Sequence, residues 1–215
     1  MIKAIIFDLQ GTLVENGVFP SPVKQVRNIL RVDMPFTDFV MRFEKTLMTT
    51  QHQSLKDAFT KLFEEFHLVP KEYLMERLVG MWNKNKLLSK PYPDTLKVLE
   101  DLHGKYKLVL IANIDIFSKD ILDTHSLRSY FDEVILSCDT GYLKSDKEFY
   151  NTVIDKFDLK PEEIVLVGDS MDSDMHTADE LGIRGVLIDR YNRREFPQRI
   201  VHLDELYKYL ENSGE

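Results

Sequence analysis

Cysteine is almost absent from this chain of 215 residues, which contains only Cys138. A single cysteine cannot form a disulfide within the chain, so the sequence is not that of a small secreted protein stapled by disulfides. Long hydrophobic runs are absent as well. No stretch approaches the ~20 apolar residues of a membrane helix, and the apolar run at the N-terminus is too short for a signal peptide. We therefore expect a cytoplasmic protein with no membrane partner.

Positive charge is in deficit, since 28 Lys and Arg residues face 36 Asp and Glu residues and the formal net charge is −8. Such a surface does not attract nucleic acid through bulk electrostatics, so no nucleic-acid partner is expected. Hydrophobic residues make up 43% of the chain, which is enough for a packed core. The sequence therefore predicts a globular protein of one large or two small domains.

Short apolar runs alternate with helical patterns over most of the chain. The runs are residues 4–7, 108–112, 134–136, 164–167 and 186–188. The helical patterns are residues 94–103, 116–127, 147–157 and 172–181. The runs are continuously apolar, as in strands covered on both faces, and strands that alternate with helices form parallel sheets. This pattern predicts an α/β fold with a Rossmann-like parallel sheet.

Residues 16–87 break this alternation, because they contain no strand-like run. Ser21-Pro22 is typical of a helix start, with proline in the first turn. Apolar residues at helical spacing mark a buried helix face at Leu55, Phe59, Leu62 and Phe66. We therefore predict an all-helical domain at 16–87, inserted into an α/β core formed by 1–15 and 88–215.

Polar residues follow three of the predicted strands: Asp8, Asn113 and Asp169. Ligands of open α/β sheets bind at the carboxyl ends of strands, so Asp8 and Asp169 are expected to face one site. Asp174 follows Asp169 closely in LVGDSMDSD. Neighbouring carboxylates repel unless a cation holds them, and such oxygen ligands suit Mg²⁺. Helix capping is the alternative role for Asp174.

A lysine, Lys144, lies in the loop GYLKSDKEF after the third predicted strand. Its ammonium group could neutralise a carboxylate and a bound anion. A solvated loop lysine is the alternative.

The combination of these motifs resembles the haloacid dehalogenase-like hydrolase superfamily over nearly the whole chain. The motifs FDLQGTL, PYPDTLKVLEDL, the strand ending in Ala112 and Asn113, Lys144, and GDSMDSD occur in the family's order. In this family a helical cap lies between the first and second motifs. The resemblance implies a Mg²⁺-dependent hydrolase acting on a small phosphorylated metabolite, since most members are phosphatases.

The resemblance also implies roles for individual residues. Asp8 would be the nucleophile that forms an aspartyl-phosphate, and Lys144 would orient it. Asp8, Asp169, Asp174 and the backbone carbonyl of Gln10 would contact the metal. The implied substrate-binding positions are Gly11, Thr12, Ala112 and Asn113.

Two positions depart from the family pattern. Gln10 stands where phosphatases of this family have a second aspartate, which protonates the leaving oxygen and then activates water. An amide cannot exchange a proton near neutral pH. Ala112 stands where a Ser or Thr hydroxyl normally binds the phosphoryl group, and Asn113 or Ser118 is a candidate substitute donor.

These departures leave three hypotheses. The first is a phosphatase that is slow or restricted in its substrates. The second is a phospho-ligand-binding protein without turnover. The third is a metal-independent 2-haloacid dehalogenase, in which the halide leaves without protonation, although the two acids of GDSMDSD argue against it.

Other chemically active residues favour structural roles. Cys138 has no basic neighbour in sequence and is expected to be a buried thiol. No pair of histidines has the spacing of a zinc-binding helix. The arginines of DRYNRREFPQR (190, 193, 194 and 199) are expected to be a solvated loop, with an acidic partner or substrate as the alternative.

Overall fold

A computed structural model describes residues 1–211. The strands are β1 (Ala4–Phe7), β2 (Val14–Glu15), β3 (Lys90–Pro91), β4 (Lys107–Ala112), β5 (Glu133–Leu136), β6 (Ile164–Gly168), β7 (Arg184–Ile188) and β8 (Arg199–Ile200). The helices are α1 (Pro22–Leu30), α2 (Phe36–Met48), α3 (Leu55–Glu65), α4 (Glu72–Leu88), α5 (Thr95–Leu102), α6 (Ile121–Thr124), α7 (Ser137–Thr140), α8 (Lys147–Phe157), α9 (His176–Leu181) and α10 (Tyr207–Glu211). A π-helical turn, Met171–Met175, precedes α9.

Six strands form a parallel sheet in the order β5-β4-β1-β6-β7-β8. This arrangement confirms the predicted α/β, Rossmann-like fold, and each predicted apolar run lies within a strand. Sequence reasoning missed β8 and the pair β2 and β3, because a strand of two residues has no detectable period. The order places β1 between β4 and β6, so the residues that follow these three strands lie side by side.

The sheet is buried on both faces, which explains its continuously apolar strands. Along β1, Ile5 and Phe7 belong to one hydrophobic cluster while Ala4 and Ile6 belong to another. Side chains of a strand alternate between faces, so these two clusters are the cores on opposite sides of the sheet.

The helices α1 to α4 enclose a third hydrophobic cluster of their own. Its centre is aromatic, with Trp82 packed against Phe43 and Phe59. The chain passes between this cluster and the sheet twice. These two passages, β2 and β3, pair with each other as an antiparallel ribbon. We propose that the ribbon bounds a cap domain made of α1 to α4, close to the predicted limits of 16–87.

One predicted helix is largely wrong. Residues 116–127 contain only the short helix α6, because the preceding loop folds around the buried carboxylate of Asp115. Asp115 accepts hydrogen bonds from the backbone N–H of Phe117 (2.9 Å) and the hydroxyl of Ser118 (2.7 Å). These bonds favour a turn over a continuous helix.

Among the described residues, no helix has both the length and the apolar character of a membrane span.

Candidate active site

Three carboxylates converge at the carboxyl edge of the sheet. Asp8 follows β1, Asp169 follows β6, and Asp174 lies in the π-helical turn. One carboxylate oxygen from each lies within 4.8 Å of the others. The structure therefore brings Asp8 and Asp169 together, although they are distant in sequence, and adds Asp174 to them.

Lys144 is buried among these acids and is not a solvated loop residue. Its Nζ lies 2.5 Å from Asp8 Oδ1 and 2.8 Å from Asp174 Oδ1. Burial alone would lower the pKa of Lys144, but Asp174 and Asp8 raise that pKa well above its ordinary value. The lysine is therefore a permanent cation at physiological pH and holds the oxygen of the candidate nucleophile.

The acids carry more negative charge than Lys144 neutralises. Burial raises the pKa of Asp8 to about 6, with Asp174 adding to the effect and Lys144 opposing it. Burial, together with the charges of Asp8 and Asp174, raises the pKa of Asp169 to about 7, while Lys144 and Arg194 oppose the shift. A further cation beside Asp8 and Asp169 would favour the ionised forms of both.

The donor set fits a hard divalent cation. All three candidate side-chain ligands are carboxylates, which Mg²⁺ prefers, and two of them are fully or almost fully buried. Asp174 Oδ2 accepts a hydrogen bond from the backbone N–H of Ser170 (3.0 Å). Its other oxygen, Oδ1, is buried and forms an ion pair with Lys144 Nζ at 2.8 Å.

Two glycines create the space in which these acids sit. A Cβ atom on Gly168 would lie 2.3 Å from Asp174 Oδ2, and one on Gly11 would lie 2.4 Å from Asp169 Oδ2. Gly11 also has φ +85°, which side-chain-bearing residues rarely adopt. Gly11, one of the implied substrate-binding positions, therefore packs beneath Asp169.

The other implied substrate-binding positions contact the site in different ways. The Thr12 hydroxyl donates to Asp8 Oδ2 (3.1 Å) and so orients the candidate nucleophile. Ala112 is buried at the end of β4. Asn113 Oδ1 accepts a hydrogen bond from the backbone N–H of Lys144 (2.9 Å). Ser118, considered as a replacement donor, instead donates to Asp115.

Gln10 lies beside the nucleophile without a side-chain partner for its carbonyl. Its Oε1 is buried and accepts no hydrogen bond from the described residues. The backbone around it is held by a bridge between Gln10 and Val14. Gln10 thus stands at the sequence position of the family's second acid, but its amide cannot supply the proton transfer that an acid would.

Sequence reasoning missed Glu44, which α2 brings to this site. Its Oε2 accepts a hydrogen bond from Asn113 Nδ2 (2.8 Å). Burial raises the pKa of Glu44 to about 7, although Lys144 and the Asn113 hydrogen bond oppose the shift. An isolated acid on an amphipathic helix carries no signal of such a role, because only the packing of α2 against the sheet edge places it there.

The expectation of a solvated arginine loop is wrong for Arg190 and Arg194. Arg190 donates to Asp94 Oδ2 (2.6 Å) and to the carbonyl of Thr12 (2.6 Å), with its guanidinium 4.0 Å from the Tyr92 ring centre. Arg194 donates to the carbonyl of Asp169. These arginines brace the backbone next to the carboxylates. Cys138 is buried as predicted, and burial raises its pKa to about 11.

Comparison with known proteins identifies the family of this chain. Residues 2–182 match the model of the haloacid dehalogenase-like hydrolase family. The glyceraldehyde 3-phosphate phosphatase of Methanocaldococcus jannaschii is 30% identical over 198 residues, covering 87% of this chain and 85% of that protein. The corresponding phosphatase of Methanothermobacter thermautotrophicus is 25% identical over 194 residues, covering 87% of this chain and 86% of that protein.

Among solved structures, a haloacid dehalogenase-like phosphatase from Thermococcus onnurineus is 27% identical. It superposes with a TM-score of 0.64 over 97% of this chain and 98% of that chain. The parallel sheet and the order of the motifs agree with the family match. Because the family model matches residues 2–182, the chain belongs to the haloacid dehalogenase-like hydrolases.

Proposed function

We propose that this protein is a Mg²⁺-dependent phosphatase of small phosphorylated metabolites that acts through an aspartyl-phosphate on Asp8. The contact between Lys144 Nζ and Asp8 Oδ1 beside two further carboxylates carries this proposal. A carboxylate attacks a phosphate monoester only where cations reduce the repulsion between the two anions. Lys144 is one such cation, and the three aspartates provide a place for another.

The residues divide the work as follows. Asp8 attacks phosphorus through the oxygen that Thr12 does not hold, while Lys144 keeps that carboxylate ionised and attracts the phosphoryl group. Asp8, Asp169, Asp174 and the backbone carbonyl of Gln10 would hold Mg²⁺. When bound, the metal supplies charge neutralisation for the phosphoryl oxygens. Asn113 would fix the backbone of Lys144 at the phosphate site.

The substrate class follows from the relatives. Two of them are named glyceraldehyde 3-phosphate phosphatases, and their similarity extends over most of both chains. We infer a three-carbon or similarly small phosphate ester as the substrate here. The buried acids would repel the carboxylate of a haloacid, which disfavours a dehalogenase.

A phospho-ligand-binding protein without turnover is the second candidate. The amide of Gln10 and the methyl group of Ala112 favour it, since each replaces a group that contributes to catalysis in the family. Such a protein would gain thermal stability from a phosphorylated ligand and release no phosphate.

The decisive experiment measures phosphate release from p-nitrophenyl phosphate and glyceraldehyde 3-phosphate with Mg²⁺ or with a chelator. We expect release with Mg²⁺, loss with the chelator, and a loss on the order of 10³-fold or more in Asp8→Asn, because the nucleophile is removed. Glu195→Gln, a change in the loop after β7, is the matched control. Activity that survives both chelation and Asp8→Asn would contradict the proposal.

A further inference from the structure

Glu44 is an ionisable group at the site, and it lies at neither of the two positions, 8 and 10, at which the family has its catalytic acids. The acid normally found two residues after the nucleophile is here Gln10, whose side chain cannot donate or accept a proton. The described acids and lysine around Asp8 are already engaged with one another. Glu44 arrives from the other side, on the cap helix α2.

The contacts of Glu44 connect it to the reacting groups. Glu44 Oε2 is bonded to Asn113, and Asn113 is bonded to the backbone of Lys144. Asp8, Asp174 and Lys144 all act electrostatically on Glu44. Glu44 is therefore close enough to the nucleophile and its lysine for their charges to act on it, and it reaches them from the cap helix α2.

The cap is docked firmly enough to keep Glu44 at this position. Trp82 Nε1 donates to Asp115 Oδ2 (3.0 Å), and Lys86 Nζ donates to the carbonyl of Phe117 (2.7 Å). On the other side, Gln51 Nε2 donates to the carbonyl of Cys138 (2.6 Å). These contacts flank the Glu44 hydrogen bond on two loops of the sheet edge.

We propose that Glu44 is the general acid and base of this enzyme, supplied by the cap in place of the missing aspartate at position 10. This inference rests on the proposed phosphatase function. An Asp8 oxygen bonds to phosphorus as the bond from phosphorus to the leaving oxygen breaks, and Glu44 gives its proton to that oxygen. Glu44 then takes a proton from water, whose oxygen attacks phosphorus and releases phosphate from Asp8.

The pKa of Glu44 fits this cycle. With a pKa raised to about 7 by burial, the group is present in both protonation states near neutral pH. An acid and base is most efficient when its pKa lies near the working pH. The charges that set this value come from the sheet edge, where Lys144 lowers the pKa and Asp174 and Asp8 raise it.

The test compares a leaving group that needs a proton with one that does not. In Glu44→Gln, kcat for glyceraldehyde 3-phosphate falls on the order of 10²-fold to 10⁴-fold, because its alkoxide leaves poorly without a proton. With p-nitrophenyl phosphate, the rate of the step that forms the aspartyl-phosphate changes only a few-fold. The burst of released nitrophenol measures this rate. The glutamine side chain keeps an acceptor for Asn113, so a structural role would spare both substrates or affect them equally.

Two further variants separate catalysis from folding. Adding Gln10→Asp to Glu44→Gln restores much of the glyceraldehyde 3-phosphate rate, because the new acid stands at the family position. Asp38→Asn, which removes an exposed acid of the same helix, leaves both rates unchanged. If Glu44→Gln does not fold, Glu44→Asp shows the same selective loss to a smaller degree.

Equal losses on both substrates, or no loss, would overturn the role of Glu44 while leaving the phosphatase function intact. A wild-type protein that releases phosphate from neither substrate would overturn the phosphatase function and this role together. The wild-type measurement thus separates the two failures.

Discussion

At the scale of the residue, the site is governed by burial of charge. Asp8, Asp169 and Asp174 surround one buried cation, Lys144. Burial raises the pKa values of Asp8 and Asp169, and this single cation only partly opposes the shift. In the absence of a metal, burying these charges opposes folding. Catalytic arrangements commonly cost stability in this way, because their charges are placed to act on a substrate.

This cost predicts a pH-dependent stability of the metal-free protein. The pKa of Asp169 is about 7 in the folded state against an ordinary 3.8, so between these pH values the folded state binds more protons and stability falls as pH rises. In a chelator, Asp169→Asn is therefore expected to be more stable than wild type at pH 8, by on the order of 1–2 kcal/mol. The advantage should shrink as pH falls through 7 toward 4.

Urea unfolding at several pH values measures this difference. A constant offset between Asp169→Asn and wild type across that range would show that the Asp169 charge is not the cause. Adding Mg²⁺ at pH 8 should reverse the order, because the metal stabilises the ionised wild-type cluster.

At the scale of the element, strand ends and the glycines beside them decide where the acids can go. Gly168 is the last residue of β6, and the Asp174 side chain occupies the space in which a Cβ would lie. The short π-helical turn brings Asp174 back to this space, where Ser170 N–H holds it. Gly168 therefore marks the point where the Asp174 side chain approaches the strand too closely for a Cβ atom.

Gly168→Ala should therefore displace Asp174. We expect Mg²⁺ activation of phosphate release to weaken by on the order of 10-fold to 100-fold, as when a supporting contact of a metal site is lost. The Mg²⁺ concentration that gives half-maximal release measures it. Gly80→Ala on α4 is the matched control, because its Cβ would meet nothing within 4 Å.

Gly80→Ala should keep the Mg²⁺ dependence of wild type and gain up to about 1 kcal/mol of stability from the better helix propensity of alanine. An unchanged Mg²⁺ dependence in Gly168→Ala would mean that Asp174 does not contribute to metal binding.

At the scale of the whole molecule, the cap and the sheet edge form one closed arrangement. Hydrogen bonds join α2, α4 and the loop between α2 and α3 to the loop after β4 and to the short helix α7 after β5. The buried carboxylate of Asp115 is central to this contact, since it accepts from Trp82 of the cap and from its own loop. Opening the cap would expose Asp115 and withdraw Glu44.

Trp82→Phe should loosen this contact. Removing the indole N–H leaves Asp115 with one donor fewer in a buried position, which costs about 1–3 kcal/mol. Circular dichroism during chemical unfolding measures the change, with the exposed Tyr142→Phe as the control. Unchanged stability would show that solvent already reaches Asp115.

The sequence by itself determined the parallel α/β sheet. Strands that are buried on both faces have continuously apolar sequences, and strands that alternate with helices form a parallel sheet. It also predicted that Asp8 and Asp169 face one site, because both follow parallel strands, while only the resemblance to the family implied that Lys144 joins them. The predicted helix at residues 116–127 is largely wrong, because the bonds to Asp115 outweigh local helix propensity.

Only the tertiary structure decided which single residues complete the site. Glu44 and Arg194 lie in segments whose local sequence suggests a solvated helix face and a solvated loop, and Gly168 reads as an ordinary strand end. Each acquires its role from a contact with a residue distant in the chain, and a local pattern contains no record of such contacts. The fold class follows from periodicity, whereas the place of Glu44 follows from which surface the cap presents to the sheet.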